Sequence, residues 1–595
     1  MMNLNLGVIG NCQMAALVDQ HARIVWSCWP QFDSDPVFCR LLQHEPADDR
    51  PGEYVVEIDQ FDRSEQHYLR NSAIIQTTLY DRSGSAIRVT DFAPRFVHLG
   101  RMFRPIMLLR RIEIVKGAPR VRILLNPAHD YAATARQRVR GSNHIRYLDD
   151  NHTMRLTTDA SISRIMDGSW FVPDRDMHLL LGPDESVAES PADCFRMNFD
   201  ATLDYWQNWS RGLSIPFEWQ HAVIRAAISL KLCTFEDTGA VIAAMTTSLP
   251  EAADSGRNWD YRFCWLRDSY FVVQALNRLG ATKTMEAYLS YITSLVADMD
   301  NAGLQPVYAI NGDAQITERI VDTLDGYRAM GPVRVGNQAH EQIQNDVYGA
   351  VVLSATQLFF DERLANPAGP VMFERLEILG RKAVQEHDQP DAGLWEYRGR
   401  KRVHTFSTLM CWAACDRLAK IADHLDLADR AEHWRAQALM IRELIETRAW
   451  DEQQQAYTES LDRPELDASL LTMHDLGFVD ADDPRFVGTV RAIGAQLRRG
   501  QHLFRYNAAD DFGEPENAFN ICTFWYIDAL AAMGEEQEAR EMFENILACR
   551  NPLGLLSEDI NPDDLTLWGN FPQTYSMAGI INVATRLSRR WQDSV

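Results

Sequence analysis

The spacing of hydrophobic positions changes near residue 200. Before it, apolar residues come in short runs rich in β-branched side chains: Tyr54–Ile58, Ala73–Tyr80, Ile87–Phe92, Met107–Val115, Arg120–Leu125, His144–Leu148 and Met154–Thr158. Turn chemistry such as Asp81-Arg82-Ser83-Gly84 separates them. Strands this close together, without intervening helices, predict an antiparallel β-sandwich over residues 1–200. Beyond about Ile215 the period becomes helical. In Val371–Val384, Phe373, Leu376, Leu379 and Ala383 share one face, with Glu374, Arg375, Glu377, Arg381 and Lys382 outside it. Comparable patterns recur at 219–236, 268–279, 283–299, 340–360, 406–423, 428–449, 484–497, 516–534, 536–547 and 575–590. About a dozen helices joined by long polar and aromatic loops predict an α/α toroid with its site at the loop end. Leu203–Trp209 reads as an amphipathic connector, so the expected division is a sandwich at 1–200, a helical linker at 201–217 and a helical domain at 218–595.

Length and composition narrow this picture. A chain of 595 residues is too long for one core, and 46% hydrophobic with 24% charged residues is the balance of a globular protein. No apolar run has the length of a membrane span. A formal charge of −24 argues against nucleic acid, whose phosphates need a basic surface, and favours a neutral small ligand. The start, Met1-Met2-Asn3-Leu4, has no basic, apolar or small-residue signature of a secretory signal. The ten cysteines are scattered in apolar company without a C-x-x-C pair, which points to free thiols and the cytoplasm. Cys411 and Cys415, four apart on a helix, read as small core residues. No metal-ligand set or cofactor motif is expected. Gly331–Asn337 has glycines but no phosphate-loop spacing, and neither H-E-x-x-H nor G-x-S-x-G occurs.

The candidate chemistry concentrates in Arg257–Asp268, which reads R-N-W-D-Y-R-F-C-W-L-R-D. Trp259, Tyr261 and Trp265 alternate with Asp260, Asp268, Arg257, Arg262 and Arg267. Ring faces pack on the C–H face of a pyranose while carboxylates and guanidinium groups take its hydroxyls. A sugar pocket and a buried salt-bridge cluster are equally consistent with this stretch. Two acids are placed for catalysis. Glu396 lies between Trp395 and Tyr397, neighbours expected to raise its pKa as a general acid requires. Glu558 lies in a loop shortly before Trp568-Gly569-Asn570-Phe571-Pro572-Gln573. Cleaving a glycosidic bond takes two carboxyls. Either acid alone also reads as a salt-bridged loop residue. Trp26–Pro36, another aromatic and acidic loop, is expected in a structural role ahead of a reach to the pocket.

Together these segments resemble glycoside hydrolase family 15, which holds glucoamylases, glucodextranases and bacterial and archaeal trehalases. The likeness runs through Thr246–Glu251, Arg257–Arg262, Trp265–Asp268, Gly326-Tyr327, Pro332–Asn337, Gly393–Glu396, Gly554–Glu558 and Gly569–Gln573. At the N-terminus, Gly7–Cys12, Trp29-Pro30 and Phe32-Asp33-Ser34 look like the β-domain of prokaryotic members. The resemblance implies a β-sandwich joined to an (α/α)6 barrel. It also implies Glu396 as general acid, Glu558 as general base, Arg267 and Asp268 on the hydroxyls of the non-reducing glucose, and Tyr261 and Trp265 as walls, with Trp395 beside the acid. The implied reaction is inverting hydrolysis of a small α-glucoside, trehalose or a short malto- or isomaltosaccharide. Two segments depart from many relatives: Glu516-Asn517-Ala518-Phe519 and Tyr575-Ser576-Met577. An inverting phosphorylase and a non-catalytic glucan-binding protein are the alternatives.

Overall fold

The computed structural model describes residues 2–44, 50–149, 152–298 and 303–593; residue 299, the expected end of one helix, lies outside them. The N-terminal part is two antiparallel sheets packed face to face. The first runs Leu6–Gly10, Ala15–Asp19, Ile24–Cys28, Glu53–Ile58, Val121–Asn126, with Pro36–Phe38 added beside the third strand. The second runs Gln137–Arg140, His144–Leu148, Met154–Thr158, Met177–Pro183, Leu108–Lys116, Ala86–Phe92, Ile75–Asp81, Phe61–Tyr68. Ile9, Val18 and Val56 from one sheet meet Ile87, Ile112 and Leu179 from the other in a shared core. The expected strands are present, and the sequence pattern omits Pro36–Phe38, Phe61–Tyr68, Gln137–Arg140 and Met177–Pro183 as well as the first three. Those three are buried along their whole length, so no in–out alternation marks them. One ion pair sits inside the sandwich: Arg110 Nε donates to Asp91 Oδ1 at 2.6 Å, with both side chains 1% exposed.

The connector is longer than expected. A helix spans Pro191–Arg211, capped by Ser190 and started by Pro191, so it runs across the boundary expected at residue 200. Beyond it the helices close a ring. The inner elements, in order, are Leu266–Arg278, Asp346–Phe360, Thr405–His424, a 3-10 turn at Ala468–Met473, Asn520–Ala532 and Thr574–Leu587; each packs on the next and the last returns to the first. Gln220–Leu232, Thr282–Asp298, Pro370–Glu386, Ala428–Arg448, Pro484–Leu497 and Glu536–Ala548 lie outside. This is an (α/α)6 barrel in which one inner helix is reduced to a 3-10 turn. Inner helices such as Asn520–Ala532 are buried all round, whereas outer ones such as Pro370–Glu386 are one-faced, as their sequences dictate. Glu377 differs from its expected exposed position. It is buried against the neighbouring outer helix, accepting from Arg430 Nε at 2.9 Å and Trp434 Nε1 at 2.8 Å. Among the described residues no helix is long and apolar enough to cross a membrane, and all ten cysteines are free and buried.

Sandwich and barrel meet through buried polar ties. Arg262, fully buried, pairs with Asp260 and donates to Ser34 O at 2.7 Å. Trp26 Nε1 donates to Met245 O at 2.8 Å. Thus the Trp26–Pro36 loop grips the barrel through the base of the Arg257–Asp268 segment, in the structural role expected of it. At the other side Asn551 Nδ2 donates to Leu4 O and Leu6 O at 2.9 and 2.8 Å, fastening the loop that leads to Glu558 to the first strand. Removing one member of a buried pair strands the other charge, so Arg262→Met is expected to cost about 3–5 kcal/mol, read as a lower urea midpoint. The Asp260→Asn/Arg262→Met double variant should recover part of that loss. A single-variant loss under about 1 kcal/mol, the worth of an exposed pair, would sink this account of the interface.

Candidate active site

At the loop end of the barrel lies a pocket with about 840 Å³ of space between its lining residues, the solvent at its mouth included. Its floor is built on the first turn of the helix Leu266–Arg278, where Arg267 and Asp268 are both buried. Arg267 is a hub. Its Nη1 donates to Gln344 Oε1 at 2.7 Å and Asp346 Oδ2 at 3.1 Å, its Nη2 donates to Glu396 Oε1 at 3.0 Å, and its Nε lies 3.7 Å from Asp268 Oδ1. Burial, with the nearby charges of Glu396 and Asp346, outweighs Arg267 and pushes the Asp268 carboxyl up to about 7.

Glu396 enters from the loop Asp391–Arg402. Its backbone is left-handed at φ 60°, a conformation seldom kept by a residue with a side chain unless its surroundings impose it. Those surroundings are explicit. Asp391, buried and pushed up to about 6 by that burial, accepts from Asn345 N, Ser407 Oγ and Gly393 N. Gln342 Nε2 donates to Glu396 O at 3.1 Å. The flanking rings do not sandwich the carboxylate as expected. Trp395 Nε1 donates to Asp467 Oδ2 at 2.8 Å, and Tyr397 stacks on His404, itself ion-paired with Glu459 at 2.5 Å. The carboxylate instead meets the Trp265 Nε1–H at 2.6 Å and the Arg267 guanidinium. Among the described residues its Oε2 takes no hydrogen bond, and the side chain is 25% exposed to the pocket.

Glu558 is 1% exposed, just ahead of the short strand Asp559–Ile560. Tyr261 donates to its Oε1 at 2.6 Å, and among the described residues its buried Oε2 has no hydrogen-bond partner. Burial first, then the charge of Glu251, raise the Glu558 carboxyl well above the usual range, against the opposing pull of Tyr261 and Arg505. Asp559 beside it is raised in turn, by burial and then by the Glu558 charge. Gly569 allows this crowding: its φ of 75° and the 2.6 Å that a Cβ would leave to Glu558 Cβ both demand glycine.

The rings of Tyr261 and Trp265 touch edge to face, centroids 5.3 Å apart. Both line the pocket, and each also holds one of the two acids. Trp395 lines it too. Residues without a role in the sequence reading complete the set. Glu251 accepts from Trp259 Nε1 at 2.9 Å and from Arg505, Asp346 receives Arg267, and Asp510 binds Arg257 through both oxygens at 2.6 Å. The acid-acid pair at 558–559 was the one local signal that could have exposed Asp559. The two segments that depart from many relatives both touch this site: Asn517 Nδ2 donates to Glu251 O at 2.7 Å, and Tyr575 lines the pocket.

The chain is similar along its length to known proteins. The pattern of Glycosyl hydrolases family 15 matches residues 219–585, and that of the Trehalase-like, N-terminal domain matches residues 4–166. A trehalase of Thermoplasma acidophilum is 30% identical over 588 residues, covering 96% of this chain and 98% of its own. A trehalase of Mycolicibacterium smegmatis is 30% identical over 630 residues, covering 99% and 91%. Among solved structures, a bacterial glucoamylase complexed with acarbose superposes with a TM-score of 0.70 at 14% identity, covering 100% of this chain and 95% of that one.

The raised Asp268 has a consequence for stability. Between an unfolded pKa of roughly 4 and its folded value of about 7, folding takes up a proton. The stabilisation carried by protonated Asp268 is therefore full below roughly 4 and lost as pH rises through 7. Asp268→Asn should gain thermal stability relative to the parent as pH rises, by about 2 °C or more between pH 5 and pH 8. Equal melting differences at the two pH values would show that Asp268 is ionised at both.

Proposed function

The chain belongs to glycoside hydrolase family 15 and is a glycosidase; from that premise we propose that it is an inverting α,α-trehalase with Glu396 as general acid and Glu558 as general base. The observation that carries the roles is the pair of contacting rings, Tyr261 and Trp265, each hydrogen-bonded to one of two carboxyls in a single pocket. Whole-length similarity to trehalases, N-terminal part included, supports the substrate. Ten free, buried cysteines suit a reducing compartment.

In this reading one glucose occupies the closed end, its hydroxyls on Arg267 and Asp268 and its ring against Trp265. Glu396 Oε2, free of protein partners, gives its proton to the glycosidic oxygen. Arg267 and Trp265, both on Oε1, fix the carboxyl's orientation. Glu558 Oε2, buried and unpartnered, draws a proton from a water that attacks the anomeric carbon from the opposite face, while Tyr261 on Oε1 holds the group still. Burial makes Glu558 a stronger base than an exposed glutamate.

Proton NMR on trehalose tests this directly. Inversion yields β-glucose from one half and α-glucose from the other in equal initial amounts; α-glucose alone would rule inversion out, and cleavage of maltose but not trehalose would reassign the substrate. Glu396→Gln and Glu558→Gln should each lower kcat by roughly 10²–10⁴-fold. Because the Glu251 charge raises Glu558, Glu251→Gln should move the acidic limb of the kcat/KM profile down by about half a unit. A limb that stays put would mean that another group sets it.

A further inference from the structure

The closed end of the pocket is made of buried groups: Arg267, Asp268, Glu558 and Gln573. The residues that line the outer end include the exposed Asp511 and the partly exposed Arg398 and Phe512. With one sugar at the closed end and Glu396 beside the scissile oxygen, the departing half must lie between Glu396 and this outer end. What bounds that space is a strap, Tyr506–Gly513, stapled on two sides. On one side Asp510 takes Arg257 through both carboxylate oxygens at 2.6 Å and the Tyr506 hydroxyl at 2.5 Å, with Arg257 and Asp510 only 6% and 5% exposed. Arg257 also donates to Gly513 O at 2.8 Å. On the other side Asp511 Oδ2 accepts the backbone N–H of Arg398 at 2.7 Å and of Gly399 at 3.1 Å. Those two residues follow Glu396 in the same loop. Gly399 leaves room for that staple, since a Cβ there would meet Asp511 Oδ1 at 2.4 Å. Between the staples Phe512 lies edge-on to Trp259 at 5.2 Å, and Arg398 covers the Trp259 ring at 4.4 Å while pairing with Glu318.

We infer that the strap Tyr506–Gly513, held by Asp510 and Asp511, limits the leaving-group compartment to a single hexose, so that the enzyme selects disaccharides over longer chains with the same scissile bond. A bidentate, shielded Arg–carboxylate pair and two backbone-to-carboxylate bonds resist displacement. A third sugar unit would have to break one staple or pass through the Trp259–Phe512 contact. Asp511 acts as a positioning residue: it touches the acid's loop, not the sugar. The inference rests on the glycosidase reading for where the bond is cut, not on which disaccharide is preferred.

The test compares substrates that differ by one glucose in the leaving half: trehalose against trehalose bearing one further α-1,4-linked glucose, and maltose against maltotriose. The wild-type chain should favour the shorter member of whichever pair it cleaves by about 100-fold; Asp511→Ala should shrink that preference about tenfold, and Asp511→Asn, which keeps an oxygen for both N–H groups, should stay within about threefold of wild type. Phe512→Ala, which leaves both staples in place, should shift the preference the same way as Asp511→Ala. If only the maltose pair is cleaved, the trehalase reading falls and the strap is judged on that pair. Equal rates on short and long members in the wild type, or a preference unmoved by Asp511→Ala and Phe512→Ala alike, would overturn the strap's role. No turnover of either pair would overturn both readings.

Discussion

Glu251, Asp268, Asp346, Glu396, Glu558 and Asp559 crowd one pocket and its walls, and carboxylates at that density must be neutralised by cations or keep their protons. Arg267 takes the first option for Asp346 and Glu396, reaching both from a single guanidinium group, while Asp268, 3.7 Å from the same group, is raised by burial. Arg505 does so for Glu251. Asp559 takes the second, its carboxyl raised by burial and by the charge of Glu558. The barrel's architecture follows from this requirement. Inner helices such as Asn520–Ala532 and Thr574–Leu587 are largely apolar and supply the low-polarity surroundings, while the charged groups of the site sit on the loops and first turns at one end. The sandwich braces that end from outside, through Arg262 beneath the Arg257–Asp268 segment and Asn551 beneath the Glu558 loop.

Close approach is the second requirement, and backbone choices meet it. At Gly393 a Cβ would lie 2.7 Å from the His404 ring, so the loop that turns Glu396 inward can fold against His404 only with glycine there. Glu396 takes a left-handed φ without that freedom, and the hydrogen bonds of Asp391 and Gln342 hold it in place. Strain at one residue is thus sustained by a buried polar network around it.

The architecture was legible in the sequence because period-2 and period-3.6 patterns report burial on one face. Where burial is on both faces the pattern disappears, and so Leu6–Gly10, Ala15–Asp19 and Ile24–Cys28 gave no signal. Ala468–Met473 escaped for want of length: six residues are too few to show helical periodicity, although the turn fills an inner position of the barrel. Within the site, Arg257–Asp268 was legible because rings and charges alternate along one local stretch. Glu251, Asp346, Arg505 and Asp510 were not, since each is an unremarkable charged residue in sequence and gains its meaning from a partner between 79 and 254 positions away. Glu377 shows the same limit, its helical face being reset by Trp434 and Arg430 on another helix.

The two proposed catalytic acids share a chemistry and differ in how they are held. Glu558 is closed in before any ligand arrives, with one oxygen on the Tyr261 phenol and the other facing no partner. That leaves a small, dry and orientated acceptor, suited to a single water. Glu396 is held from behind by a cation and an indole N–H and keeps a quarter of its side chain open to the pocket. A sugar bound across Trp265 would cover that quarter and remove the last water from it. Desolvation of the proposed acid would then be supplied by the substrate, while that of the proposed base is built into the fold. Proton donation is thereby tied to occupancy of the pocket, a division of labour that follows from placing one acid on an open loop and the other just ahead of a buried strand.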